Sequence, residues 1–153
     1  MPQMRRKRPL FPALTQFLTR WGENMDFITL TDCTTDNILT CEDSDVSYAN
    51  SYLLALAEGF GLSDDEIRIP CSALIRRTGV AKAYQIRAMS MVGSDSTVMA
   101  DGSRNEDIYL QKYKLYAELT AKLESRLSFA DFAAPGTSSA GKGGIGVIRL
   151  SRS

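Results

Sequence analysis

The sequence of 153 residues contains no histidine, only three cysteines, no net charge and no long hydrophobic run. Without histidine, it lacks the most common general base and the most common metal ligand of proteins. Three cysteines cannot all pair with one another, which argues against a disulfide-rich secreted scaffold and favours a reducing compartment. No apolar stretch is long enough to span a bilayer. The remaining composition is that of a soluble protein of about one domain, with 44% hydrophobic and 24% charged residues.

The zero net charge is the result of blocks of opposite sign. Residues 1–22 carry +5, 23–68 carry −10, 69–92 carry +4, 93–132 carry −2 and 133–153 carry +3. These blocks could neutralise one another within a monomer. Alternatively, a positive face of one copy meets a negative face of the next, an arrangement in which charge sets register and partner choice.

Apolar residues recur at helical spacing in three segments, which predicts a mainly α-helical fold with a three-helix core. The first helix is expected from about Asp45 to Phe60, the second over 70–92 with Pro70 in its first turn, and a long third helix over about 104–130. A short helical turn is expected within 63–69. The second helix has apolar residues on two sides, which predicts that it lies between two layers.

The segments around this helical part have a different character. Residues 1–24 are basic and contain prolines, and 25–40 mixes β-branched residues with Asp and Asn, which is typical of a short strand and turns. Residues 133–153 are rich in glycine and end in a β-prone segment that needs another sheet to join. We therefore predict an extended N-terminal arm (1–24), a helical domain (25–132) and an extended or β C-terminal tail (133–153).

No motif in the chain supports catalysis or ligand binding. Residues 136–142 match the first seven positions of a phosphate-binding loop, but Gly143 stands where a hydroxyl should bind Mg²⁺, and the order of helix and strand is reversed. Segments beginning at Asp43 and Asp101 start like calcium loops but lack the required glycine and glutamate. We expect no enzymatic activity, no cofactor and no metal site.

The helical segment carries a recognisable layout. The first predicted helix is capped by acidic residues. The second begins with a proline in the segment IPCSALIRRTGVAKAYQIRAMSMVG, and the third opens at Asp107 with the motif D-x-Y-x-x-K-Y. Over residues 26–132 this layout resembles the head–tail connector (adaptor) proteins of tailed bacteriophages. The resemblance implies a structural virion protein of the neck, assembled in the host bacterial cytoplasm without a membrane. Such subunits form a ring, usually of twelve copies, under the portal protein and around the channel for double-stranded DNA.

The resemblance also implies roles for particular residues. The C-terminal tail would dock into the portal while loops on the opposite face receive the next neck, stopper or tail protein. The portal-docking strand would comprise Ile145, Val147, Ile148 and Leu150. The glycines that give the tail reach would be Gly141, Gly143 and Gly144. Lumen-facing acids that let DNA slide would include Asp43, Asp45, Asp64 and Asp65. Subunit-interface candidates are the basic residues Arg76, Arg77, Lys82, Arg87 and Lys112.

A second hypothesis is a small helical nucleic-acid-binding protein that uses the Arg5–Arg8 cluster and the second helix. The basic cluster has no interleaved aromatic residues, which argues against sequence-specific reading. If the protein does bind nucleic acid in this way, its affinity for DNA should fall steeply as the salt concentration rises.

Overall fold

A computed structural model describes residues 25–95 and 106–139, and this part of the chain is mainly helical. The four α-helices and two 3₁₀ turns follow one another in the order 3₁₀ turn Leu30–Asp32, α1 Asp43–Gly59, 3₁₀ turn Asp64–Glu66, α2 Ala73–Met91, α3 Ile108–Glu124 and α4 Phe129–Phe132. The predicted arm at 1–24, and every residue assigned to the portal-docking strand or its glycine hinge, lie outside the described ranges.

The second long helix, α2, packs against both α1 and α3, so the prediction that it lies between two layers is confirmed. Two apolar clusters meet on it. One surrounds Ile75 and includes Leu53 and Phe132, while the other surrounds Tyr84 and Ala88. These clusters bury apolar surface on two sides of α2, which explains why its sequence lacks a single polar face.

Three predicted boundaries differ from the structure. Pro70 lies before α2, which begins at Ala73 because the Ser72 hydroxyl accepts a hydrogen bond from the Ile75 N–H at 3.3 Å. The third helix begins at Ile108, after its cap Asp107, and ends at Glu124. It does not continue to 130 because the capping box of Ser128 starts the separate helix α4. The short turn expected within 63–69 is confirmed as a 3₁₀ turn.

The strand expected within 25–40 is absent, since side chains satisfy the backbone groups that a strand would pair. The Asn50 Oδ1 accepts hydrogen bonds from the N–H groups of Phe27 at 3.1 Å and Ile28 at 3.0 Å. The Asn50 amide donates in return to the Ile28 carbonyl at 3.0 Å. Farther along, the Tyr84 hydroxyl accepts from the Thr35 N–H at 3.0 Å. Helices α1 and α2 therefore hold this segment through long-range side-chain bonds.

The chain returns to the body after α4 and pairs with the segment that precedes α2. The Arg68 N–H donates to the Phe132 carbonyl and the Ala134 N–H donates to the Glu66 carbonyl, each at 2.8 Å. Phe132 is completely buried and meets the ring of Phe27 edge-on. The folded body thus extends through Ala134, two residues past the predicted boundary.

Helices α1 and α2 approach each other closely at Gly79. A Cβ atom at this position would lie 2.8 Å from Leu53 Cδ1 and 3.0 Å from Ile28 Cγ2. Both neighbouring side chains are fully buried in the two clusters, so little space exists for them to move. Glycine is therefore required by packing rather than by backbone conformation.

We expect Gly79→Val to destabilise the protein by about 2 kcal/mol, because a branched side chain would force Leu53 and Ile28 out of their packed positions. Urea unfolding followed by circular dichroism measures this loss. The matched control is Gly59→Ala, where nothing lies within 4 Å of the added Cβ. That control should be neutral or stabilising, and equal destabilisation by both variants would contradict the packing argument.

Candidate functional site

Asp36 is the centre of a buried polar cluster that joins the 33–39 segment to α3. Its side chain is 2% exposed and accepts hydrogen bonds from Lys112 Nζ at 2.8 Å and from the Tyr116 hydroxyl at 2.6 Å. It also accepts from the backbone N–H groups of Ile38 at 2.8 Å and Leu39 at 2.9 Å. Burial alone would raise the pKa of Asp36, but these four donors outweigh it and hold the pKa at about 2.

This cluster changes the interpretation of Lys112. The sequence suggested that Lys112 belongs to a subunit interface, yet its ammonium group is bound to Asp36 within the same chain. The i, i+4 spacing of Lys112 and Tyr116 puts both donors on one face of α3. Lys112 therefore joins α3 to the 33–39 segment within one chain, and its assignment to a subunit interface stays a prediction.

Arg87 and Asp45 are also bound within the subunit. The Arg87 Nε donates to the Thr40 carbonyl at 2.8 Å, and its guanidinium forms ion pairs with Glu42 and, at 3.5 Å, with Asp45. Asp45 is 5% exposed, and its carboxylate also accepts from the Glu42 N–H at 2.8 Å as part of the α1 capping box. Arg87 and Asp45 are thus paired with each other at the start of α1, and the assignments of Asp45 to the channel lumen and of Arg87 to a subunit interface stay predictions.

Lys82 and Tyr52 form a third internal contact. The Lys82 ammonium lies 4.7 Å from the centroid of the Tyr52 ring, at cation–π distance. The Tyr52 hydroxyl donates to Glu124, so this contact connects α1, α2 and the end of α3. Burial, followed by the hydrogen bond to Glu124, raises the pKa of Tyr52.

A mostly apolar cavity of about 300 Å³ lies between α2, α3 and the segment around Asp32. Its walls are formed by Val80, Ala81, Tyr84, Tyr116, Leu119 and Leu123, with Asp32, Thr35, Arg76 and Arg77 as polar lining. Both arginines are exposed. Within 25–95 and 106–139 neither guanidinium forms an ion pair with a carboxylate. The cavity can therefore accept an apolar group that has an acidic group beside it.

The remaining predicted acids lie at two turns. Asp43 is exposed in the first turn of α1, and Asp65 is exposed in the 3₁₀ turn, where it accepts from the Ser63 hydroxyl at 2.7 Å. Asp64 lies in the same turn and is half-buried. The structure thus brings Asp64 and Asp65 together, whereas Asp45 lies inside.

The sequence analysis missed Asp36 and the cavity. Asp36 looked like an ordinary turn residue, and its hydrogen bonds to the Ile38 and Leu39 N–H groups are indeed those of an Asx turn. The cavity has no local signal because its walls come from residues far apart in the chain.

Comparisons with protein-family models, curated proteins and solved structures found no match for this chain. In the described ranges, none of the helices has the length and apolar character needed to cross a membrane. The same ranges contain no group of three or more Cys, Asp or Glu side chains placed to hold a metal ion.

We expect Asp36→Asn to lower the free energy of unfolding at neutral pH by about 2–3 kcal/mol, since Lys112 would lose its buried carboxylate partner. The folded-state pKa of Asp36 is lowered from 3.8 to about 2, so its contribution is present above pH 3.8 and lost as the pH falls towards about 2. The difference between wild type and variant in urea unfolding should therefore shrink over that range.

Asp43→Asn is the control, because this exposed carboxylate has no partner among the described residues. It should lower stability by less than about 1 kcal/mol, because among the described residues its charge interacts only with the N-terminal end of the α1 dipole. A pH-independent difference between wild type and Asp36→Asn would contradict the role of the Asp36 charge.

Proposed function

We propose that this protein is the repeating subunit of a head–tail connector ring, which joins a phage capsid to its neck or tail around the DNA channel. The observation that carries the proposal is the pair Arg76 and Arg77, exposed beside an apolar cavity and without an acidic partner in the described part of the subunit. The other basic residues of the proposed interface are already bound inside the subunit. Among the basic residues assigned to the interface, Arg76 and Arg77 are therefore the two that form neither an ion pair nor a cation–π contact in the described part of the chain.

A contact between this basic site and a different, acidic surface of the next copy would be heterologous. Repeated heterologous contacts produce a closed ring when the rotation between copies returns to its start. The order of the helices and the D-x-Y-x-x-K-Y start of α3 are the features by which the sequence resembles the connector family, and the mainly helical body is consistent with them. We propose that Asp43, Asp64 and Asp65 face the channel, where carboxylates would repel the DNA phosphates.

The tail beyond the described residues completes the proposal. We propose that Ile145, Val147, Ile148 and Leu150 add a strand to the portal protein, with Gly141, Gly143 and Gly144 as the hinge. The backbone hydrogen bond from Ala134 to Glu66 attaches the chain to the helical body shortly before these tail residues begin.

Native mass spectrometry of the full chain, alone and mixed with the portal protein of the same genome, tests the ring. We expect a single closed oligomer, usually of twelve copies in this family, in at least one of the two samples. A monomer in both would overturn the proposed function. Binding to DNA that weakens steeply with salt, without any oligomer, would instead support the nucleic-acid-binding hypothesis.

Removal of residues 140–153 should abolish binding to the portal while the body stays folded, because the truncation spares the pairing of Ala134 with Glu66. Co-sedimentation with the portal measures binding, and circular dichroism measures helical content. The matched control is a full-length chain in which Ser151 and Ser153 are replaced by alanine, which keeps the four apolar residues. Equal portal binding by the truncated and full-length chains would contradict the docking role of the tail.

A further inference from the structure

The outward face of α1 has the chemistry that the Arg76–Arg77 cavity requires. At 100° per residue, Ser44, Tyr48, Ser51, Ala55 and Glu58 lie on one side of α1, and all five are exposed. Tyr48 is 60% exposed and is therefore the large apolar group that this face presents to solvent. Its neighbours on the face are small, so a second helix or groove could approach α1 closely.

Glu58 is the acidic residue of this face, and like Arg76 and Arg77 it has no oppositely charged partner among the described residues. Glu58 is exposed, and among the described residues it forms no ion pair and no side-chain hydrogen bond. It lies near the C-terminal end of α1, where the helix dipole disfavours a negative charge. A cation from outside the subunit would therefore stabilise Glu58 more than it would stabilise an average surface carboxylate.

We propose that α1 of one copy docks on the cavity of the next copy, with Tyr48 inserted between α2 and α3 and Glu58 paired with Arg77. This inference rests on the proposed ring and identifies its subunit interface. The acceptor is formed by α2 and α3, whereas the donor is α1. The contact therefore uses two different surfaces, as a heterologous interface requires.

The dimensions of the two surfaces agree. Ten residues separate Tyr48 from Glu58, about 15 Å along a helix, and seven separate Arg77 from Tyr84, about 10.5 Å along the cavity wall. The long, flexible side chains of Arg77 and Glu58 can span the difference between these two lengths. A tyrosine also suits this cavity chemically, because apolar side chains surround its ring while Asp32 and Thr35 offer polar partners for a hydroxyl.

Charge reversal tests the pairing in the full-length protein. Arg77→Glu and Glu58→Arg should each raise the dissociation constant between subunits roughly 30-fold or more, because each places like charges opposite one another. The double variant Arg77→Glu/Glu58→Arg restores opposite charges, and its assembly should recover. Mass photometry over a dilution series measures all three, and circular dichroism establishes that each variant is folded.

Substitution of the anchor tests the cavity independently of charge. Tyr48→Ala should weaken association roughly 30-fold, while Tyr48→Phe, which keeps the ring, should assemble nearly as the wild type does. Arg68→Glu is the control for a charge change at an exposed arginine that does not line the cavity, and it should leave assembly unchanged.

The outcomes separate the two proposals. If the wild type assembles and Arg77→Glu, Glu58→Arg and Tyr48→Ala assemble equally well, the ring stands and this interface is wrong. Failure of the double variant to recover would likewise reject the pairing of Glu58 with Arg77. If the wild type forms no oligomer, alone or with the portal, the proposed function fails and the interface fails with it.

Discussion

The attachment of α3 to the rest of the helical body depends on a single buried carboxylate. The Asp36 carboxylate accepts hydrogen bonds from Lys112 and Tyr116 of α3, while its own backbone N–H donates to the Tyr84 hydroxyl of α2 at 3.2 Å. The rings of Tyr84 and Tyr116 stack with their centroids 5.0 Å apart. Thr120 and Leu123 are the buried residues of α3, and its tyrosines Tyr109, Tyr113 and Tyr116 are only partly buried against the core, so much of its apolar contact is made by half-exposed side chains. The charged hydrogen bonds supply what the apolar contacts of α3 lack, and α3 in turn forms one wall of the cavity.

The internal ion pairs also explain how a chain of zero net charge can have a directional surface. Arg87 is used in capping α1, Lys112 in holding Asp36, and Lys82 in covering the Tyr52 ring. Each of these contacts removes a positive charge from the set available to a partner. Among the described residues, the arginines beside the cavity and Glu58 on α1 are among the exposed charges that form no ion pair. Folding therefore pairs part of the charge in these sequence blocks internally, and fewer charged groups remain without a partner.

The parts of the fold that depend on local pattern could be predicted from the sequence. The expected helix from Asp45 to Phe60 agrees within two residues with α1, because its apolar spacing, its N-terminal acids and Gly61, which has a positive φ of 82°, are all local signals. The third helix was predicted too long, since apolar residues continue past its end and conceal the capping box at Ser128.

Hydrogen bonds between side chains and groups far away in the sequence, in contrast, leave no local sequence pattern from which they could be predicted. The strand expected within 25–40 was wrong because its partners are the side chains of Asn50 and Tyr84 rather than another strand. Asp36 was missed because Lys112 and Tyr116 lie 76 and 80 residues away along the chain. The residues that satisfy a buried charge are set by tertiary structure, and no local window contains both sides of such a contact.

The close contact at Gly79 connects the core to the proposed assembly. A heterologous ring closes only if every copy presents its two surfaces at the same angle, so the donor and acceptor must be rigidly joined within each subunit. In the proposed interface, the donor face belongs to α1 and the acceptor to α2 and α3. Because Leu53 of α1 and Ile28 pack directly on Gly79 of α2, and the Asp36 cluster fixes α3, the angle between the two surfaces is determined by buried contacts. In the proposed ring, curvature would then be set in the core of the subunit, and core substitutions would alter the number of copies before they alter the contact itself.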